Sequence, residues 1–288
     1  MTKFPRTTVG GMSMPRMLIG SNWILGYSHR TSSADQMIRD RHADPAQIEA
    51  ILEAYLDYGI DAMMAPFKED TPLMTAIRNV QERRGQKIIM IDTPIIRDMS
   101  NTREAYAIAE AQIKESARLG SDFCLLHHGS AEKLVSKLDG TMNRLPDYLY
   151  MMREAGMRTG LSAHMPELVL YSEANDYDVD TYIQIYNCMG FLMQVEVEYI
   201  NKVIWEAKKP VMTIKSMAAG RCSPFVGLSF SFNTIRPCDM VTLGAYEPNE
   251  VHEDVEIAMA AIEHRRANIG GRASPNKTAA LGGEMKKE

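Results

Sequence analysis

Several features that would assign a function at once are missing from this 288-residue chain. Its four cysteines form no C-x-x-C pair, which argues against a disulfide framework or a zinc ribbon. Lys and Arg number 32 against 37 Asp and Glu, so no basic surplus favours nucleic acid or an anionic membrane as a partner. No segment approaches the ~18 uninterrupted apolar residues of a membrane span, and the N-terminal residues lack the apolar core of a signal peptide. We therefore predict a cytoplasmic protein whose partner is a small molecule.

Short apolar segments alternate with amphipathic segments along the chain. Eight predicted strands begin near residues 17, 60, 87, 122, 157, 179, 210 and 240. Helices are predicted between most of them, and the first has Asp44 as its N-cap and Pro45 at its first helical position. This pattern indicates α/β architecture with parallel pairing, and a single (β/α)8 barrel matches the strand count and the length. No strand is followed by G-x-G-x-x-G, which disfavours an open, doubly wound sheet.

The predicted barrel domain spans residues 1–266. Within it, RTTVGGMSMP is typical of a β-hairpin, because Gly10-Gly11 permits the positive φ of a tight turn. Residues 23–44 form a connection too long for an ordinary loop, and we expect it to cover the active site as a lid. Residues 267–288, rich in Gly and Lys, are predicted to be a flexible tail that stays mobile or binds a neighbouring subunit, which leaves a homo-oligomer open.

Ionisable residues follow several predicted strands. The carboxyl ends of strands form the active site of a (β/α)8 barrel, and Asp92, His127, His128, His164 and Lys215 occupy such ends. Carboxylate and imidazole together favour a divalent metal held by Asp92, His127 and His164. The predicted catalytic residues are His127, Lys215 and His128, with His128 in a secondary role because successive strand residues face opposite sides. Each residue could instead be structural, Asp92 as a turn cap and His164 as a helix cap.

A series of segments, in order, resembles the aldo-keto reductases, which are TIM barrels that use a nicotinamide cofactor. The matching segments include GGMSMPRMLIGSN, YGIDAMMAP, DFCLLHHG, GLSAHMPE, YIQIYN, KPVMTIKSMAAGR and LGAYEPNEVHEDVEIA. The resemblance reaches to about residue 265 and implies an aldo-keto reductase-like barrel.

The catalytic tetrad implied by this resemblance is mostly replaced. Its Asp position falls on Met64, its Tyr near Glu69, and its Lys on Asp92 or Thr93, whereas its His is matched by His127. Because carbonyl reduction requires the Tyr hydroxyl as proton donor, the resemblance predicts a divergent member with other chemistry.

The cofactor side of the resemblance is also altered. Ser162 and Gln184 match residues that would hold the nicotinamide amide, and the turn from Gly244 to Glu250 matches the phosphate-binding turn. Glu247 in that turn opposes the 2′-phosphate of NADP, so NAD is the better candidate if a nicotinamide cofactor binds at all.

Three functions follow from the sequence. The preferred hypothesis is an isomerase, epimerase or lyase that removes a proton beside a carbonyl of a sugar, polyol or hydroxy acid, assisted by a divalent metal or by His. The second is an oxidoreductase of the aldo-keto reductase type with NAD(P), using Ser162, Gln184 and Gly244. The third is a barrel that binds a ligand without catalysis.

Overall fold

A closed barrel of eight parallel strands is the centre of the computed structural model, which describes residues 2–269. The strands of the described chain are β1 (Arg6–Val9), β2 (Met12–Pro15), β3 (Met17–Gly20), β4 (Ala62–Ala65), β5 (Ile89–Asp92), β6 (Phe123–Leu126), β7 (Val135–Ser136), β8 (Thr141–Met142), β9 (Arg158–Ala163), β10 (Thr181–Ile185), β11 (Val211–Ile214) and β12 (Met240–Leu243). Around the barrel the order is β3, β4, β5, β6, β9, β10, β11 and β12, and β9 pairs with β10 to close it. This confirms the predicted (β/α)8 barrel.

The helices surround the barrel. They are α1 (Asn22–Leu25), α2 (Ser32–Arg41), α3 (Pro45–Asp57), α4 (Pro72–Arg84), α5 (Arg103–Arg118), α6 (His128–Ala131), α7 (Leu145–Glu154), α8 (Glu167–Ala174), α9 (Val197–Glu206), α10 (Pro224–Thr234) and α11 (Pro248–Ile262). Helices α4 and α10 were not predicted from the sequence. Both begin at a Pro directly after a hydroxyl N-cap, Thr71 and Ser223, whose side chains accept a backbone N–H.

Two predicted segments differ in detail from the structure. The helix expected between the strands predicted near 179 and 210 begins only at Val197, since Leu192 adopts a left-handed conformation with φ of 56°. The long connection 23–44 is largely helical, because α1 and α2 lie within it. Thr31 caps α2 by accepting the N–H of Ala34.

Apolar side chains form two layers separated by the barrel wall. One layer fills the barrel and is made of alternate strand residues together with Val9 and Met14 of the β1–β2 hairpin, which closes the amino-terminal end. The other lies between the strands and the helices. Because both faces of each strand are apolar, the carboxyl-terminal mouth of the barrel is the place where polar groups collect.

Predictions about residues 270–288 lie outside the described residues. Among residues 2–269, no helix combines the length and apolar character needed to cross a bilayer.

Candidate active site

His127 continues the inward-facing row of β6. Phe123 and Leu125 of that strand fill the barrel, and side chains alternate between the two faces of a strand, so the side chain of residue 127 belongs to the same inward face. The backbone N–H of Gly129 donates to Nδ1 of His127 at 3.1 Å. In the neutral ring the proton is therefore assigned to Nε2, and the imidazole can offer an N–H donor.

His128, the first residue of α6, packs against two other imidazoles. Its ring stacks on that of His164 with centroids 3.9 Å apart and planes 16° apart, and it lies 4.2 Å from the ring of His127. Glu132 approaches from the end of the same helical segment and accepts the backbone N–H of His164 at 3.0 Å. Ligand atoms of His128, Glu132 and His164 all lie within 4.8 Å of one another, which makes this trio a candidate metal site.

Burial keeps these imidazoles neutral at pH 7. Desolvation, followed by the neighbouring His128, lowers the pKa of His127 to about 4 and that of His164 to about 3. Desolvation also lowers the pKa of His128, although Glu132 opposes the shift. Neutral imidazole is the form that binds metal ions, so the protonation state suits a cation site.

Lys215 lies at the mouth directly after β11, in a strained conformation. Its φ is 63°, and its Nζ lies 2.7 Å from Nε2 of His29 in the connection between β3 and α2. The ammonium donates in this contact, so His29 accepts at Nε2. Desolvation lowers the pKa of Lys215 to about 8, and desolvation followed by the charge of Lys215 lowers the pKa of His29.

The structure corrects the predicted position of Asp92. Its inward-facing neighbour Ile91 lies in the barrel, so Asp92 faces the helices instead of the mouth. Its carboxylate accepts the hydroxyl of Ser116 on α5 and the N–H of Phe67 at 3.2 Å. The pKa of this buried carboxyl is raised to about 6, mainly by desolvation. Asp92 is therefore separated from the histidines that it was expected to join.

The roles predicted for the two adjacent histidines change as well. His127, expected to be the main ligand, is not in the trio of close ligand atoms, whereas His128 is. The turn into α6 starts at His127, and this brings His128 over the mouth. Glu132 was missed by the sequence analysis, although its spacing of four from His128 places both on one face of a helical turn. That i, i+4 spacing was the available signal.

The nicotinamide-binding residues implied by the resemblance lie on opposite faces of the barrel wall. Ser162 pairs with Ile183, and the side chain of Ile183 fills the barrel, so Ser162 also faces inward. Gln184 is fully buried on the helix side, between Tyr182 and Tyr186 of the outer layer. The two side chains cannot hold one amide group in this arrangement.

The turn before α11 is occupied by side chains of the chain itself. Glu250 accepts the backbone N–H of Tyr246 at 2.7 Å, and Glu247 lies 3.5 Å from Arg41. Gly244 approaches the neighbouring strand β3 closely, since a Cβ there would lie 3.1 Å from the carbonyl oxygen of Gly20. Carboxylates occupy the position where the resemblance implies a phosphate.

Known structures share this architecture. A Pseudomonas aeruginosa protein assigned provisionally to the aldo-keto reductases matches with a TM-score of 0.63 and 16% identity, over 89% of this chain and 96% of that one. An aldose reductase from Giardia lamblia matches with a TM-score of 0.52 and 12% identity, over 88% and 94% of the two chains. A 3-keto-L-gulonate-6-phosphate decarboxylase from Vibrio cholerae matches with a TM-score of 0.51 and 9% identity, over 87% and 98%.

Comparisons with protein-family models and with curated proteins give no match. At identities this low the structural similarity concerns the fold alone. The chain thus has a (β/α)8 barrel like that of the aldo-keto reductases.

Proposed function

We propose that this protein is an enzyme that moves a proton beside a carbonyl group of a small polar compound, with a divalent cation held by His128, Glu132 and His164. The compound belongs to the sugars, polyols or hydroxy acids, and the reaction is an isomerisation, epimerisation or elimination. The observation that carries the proposal is the convergence of this trio with His127 and Lys215 at the barrel mouth.

The donor set suits a borderline divalent ion such as Zn²⁺. Two imidazole nitrogens and one carboxylate oxygen are ligands that zinc accepts, and three protein ligands leave a position open for substrate. Binding requires the stacked rings of His128 and His164 to rotate until their nitrogens converge, while Glu132 keeps its bonds to the backbone through Oε1. When bound, the cation would polarise a substrate oxygen.

The remaining groups divide the proton chemistry between them. The Nε2–H of His127 would donate a hydrogen bond to the substrate carbonyl and stabilise the enolate oxygen. Lys215, with a pKa of about 8, is neutral in roughly one molecule in ten at pH 7 and would take the proton from the adjacent carbon. The ammonium formed then donates to His29. Return of the proton to the former carbonyl carbon, together with transfer of the hydroxyl proton from the second oxygen to the first, gives the isomer. Protonation of a departing hydroxyl on the next carbon by the Lys215 ammonium releases water and gives the elimination product.

Metal content tests the cation site. The protein would be equilibrated with Zn²⁺, passed through a desalting column and analysed by plasma mass spectrometry. We expect one equivalent in the wild type, and affinity weaker by ~100-fold or more in His164→Ala and Glu132→Gln, beyond the loss typical of outer-shell partners. His264→Asn, at an exposed histidine remote in sequence from the mouth, is the matched control. Full occupancy in His164→Ala would refute the site.

The oxidoreductase alternative rests on Ser162 facing the barrel interior together with the shared fold. Titration with NADH and NADPH, followed by fluorescence, separates it from the proposed function. If the protein binds no metal and neither NADH nor polar substrates bind to it, a non-catalytic barrel is favoured.

A further inference from the structure

Three cationic side chains surround His29 on one side of the mouth. Lys215 donates to the His29 ring at 2.7 Å, and Nη2 of Arg221 donates to the His29 carbonyl oxygen at 3.3 Å. Arg30 follows His29 in the chain, and its Nη1 lies 3.9 Å from the place where a Cβ on Gly220 would be. Within residues 2–269, none of the three cations has a carboxylate oxygen within 4.0 Å. Their charge is therefore available to an anion from outside the chain.

Arg221 is fixed in place rather than freely solvated. Its guanidinium lies 3.9 Å from the ring centroid of Phe191, and its Nη1 donates to the carbonyl oxygen of Ala218 at 3.2 Å. The side chain of Asn187 holds Phe191 in turn, accepting its N–H at 2.9 Å and donating to its carbonyl oxygen at 3.0 Å. Among residues 2–269, two of the five guanidinium N–H groups have a hydrogen-bond partner, so the other three can meet an anion in a fixed geometry.

The backbone that carries these cations is strained. Lys215, Ala218 and Ala219 have φ of 63°, 48° and 56°, in the left-handed region that side chains disfavour. Residues with a side chain keep this conformation where the surroundings impose it, as they do at ligand-binding sites. The resulting turn brings the start and the end of segment 215–221 to the same side of the mouth as His29.

We propose that Arg221 and Arg30, beside Lys215, bind an anionic oxygen group of the substrate, either a carboxylate or a phosphate ester. The inference rests on the proposed function and narrows its substrate to a hydroxy acid, a sugar acid or a sugar phosphate. Lys215 follows β11 directly and His164 follows β9 directly, so both lie at the carboxyl-terminal mouth of the barrel. One small molecule can therefore place its anionic group on the cations and its reacting oxygen at the histidines.

Calorimetric titration with simple probes tests the subsite. The probes are glycolate for the carboxylate, inorganic phosphate for the phosphate ester, and ethylene glycol as a neutral analogue of glycolate. Arg221→Gln and Arg30→Gln should bind the active anion about 10- to 100-fold more weakly, as expected for lost hydrogen bonds to a charged group. Arg221→Lys should recover part of the loss, and Arg266→Gln, at an exposed arginine after α11, should bind like the wild type.

The outcomes distinguish the two proposals. Weakened anion binding with zinc occupancy unchanged supports both, and the preferred probe identifies the anionic group. Weakened anion binding in a protein that binds no zinc supports the subsite and refutes the metal. Equal binding of both anions by wild type, Arg221→Gln and Arg30→Gln overturns the subsite. If neither anion binds but NADH does, and Arg221→Gln abolishes that, the cations serve a dinucleotide pyrophosphate and the substrate assignment is overturned.

Discussion

Replacing Asp92 by Asn tests where this side chain lies and what it does. As a metal ligand at the mouth, the carboxylate would be indispensable for binding the ion. As the buried partner of Ser116 and of the Phe67 N–H, it can be replaced by an amide. The amide oxygen of Asn would accept from Phe67, and its NH₂ group would donate to the Ser116 hydroxyl. We therefore expect Asp92→Asn to fold and to bind zinc as the wild type does.

The size of the expected stability change follows from the pKa of Asp92. Burial raises the pKa of Asp92 from 3.8 to about 6. The folded state thus favours the neutral acid, and the stability contributed by this group is fully present below about pH 4 and lost as pH rises through 6. At about 1.4 kcal/mol for each pKa unit, the charged form costs the folded state roughly 3 kcal/mol at pH 7. Asn cannot ionise, so Asp92→Asn should be more stable than the wild type by ~1–3 kcal/mol at pH 7.

Urea unfolding at several pH values between 4 and 8 measures this difference. The free energy of unfolding of Asp92→Asn should exceed that of the wild type at pH 7, and the two should converge near pH 4. Asp70→Asn, at an exposed position, is the control and should leave the pH dependence unchanged. Destabilisation of Asp92→Asn by more than ~1 kcal/mol at pH 7, or loss of bound zinc, would refute the placement described here.

Three further predictions concern other parts of the barrel. Gly160→Ala should destabilise the fold by ~2 kcal/mol or more in urea unfolding. The added Cβ would lie 2.6 Å from the Thr181 carbonyl oxygen and 2.7 Å from Cγ of Leu125. An unchanged unfolding midpoint would contradict this prediction. NADPH should bind poorly, since Glu250 already occupies the turn before α11, and a micromolar dissociation constant in a fluorescence titration would overturn the expectation. Acylation of Lys215, followed by peptide mass mapping, should reach half its maximal rate near pH 8, and a midpoint above pH 10 would exclude the lowered pKa.

The strands of the barrel could be predicted closely, because each is a short apolar run bounded by polar residues. The predicted start near 17 and the one near 240 coincide with those of β3 and β12, and the other six lie within two residues of the observed starts. The side that each residue faces could not be predicted in the same way. Ile91 and Asp92 both lie in a wall that is apolar on both faces, so hydrophobicity does not reveal which one points inward.

The candidate site was predictable only where a strand runs straight to its end. His127 directly follows β6, so the alternation of side chains along that strand assigns it to the inward face. The positions of His128 and Glu132 depend on a helical turn that starts between His127 and His128. The alternation of side chains along a strand does not predict such a turn. The contact between His29 and Lys215 joins residues 186 positions apart, so only the closed barrel reveals it.

Because side chains alternate between the two faces of each barrel strand, substitutions at neighbouring positions should have different effects, on folding at one and on ligand binding at the next. In β9, Ser162 faces the barrel interior, whereas Leu161 and Ala163 pack against the helices. In a deep mutational scan, substitutions at Leu161 and Ala163 should lower the yield of folded protein. Substitutions at Ser162 and His164 should spare the yield and alter ligand binding. Ligand binding per folded molecule and abundance would then vary with a period of two residues and in opposite phase, and that phase would locate the ligand-facing positions without any knowledge of the ligand.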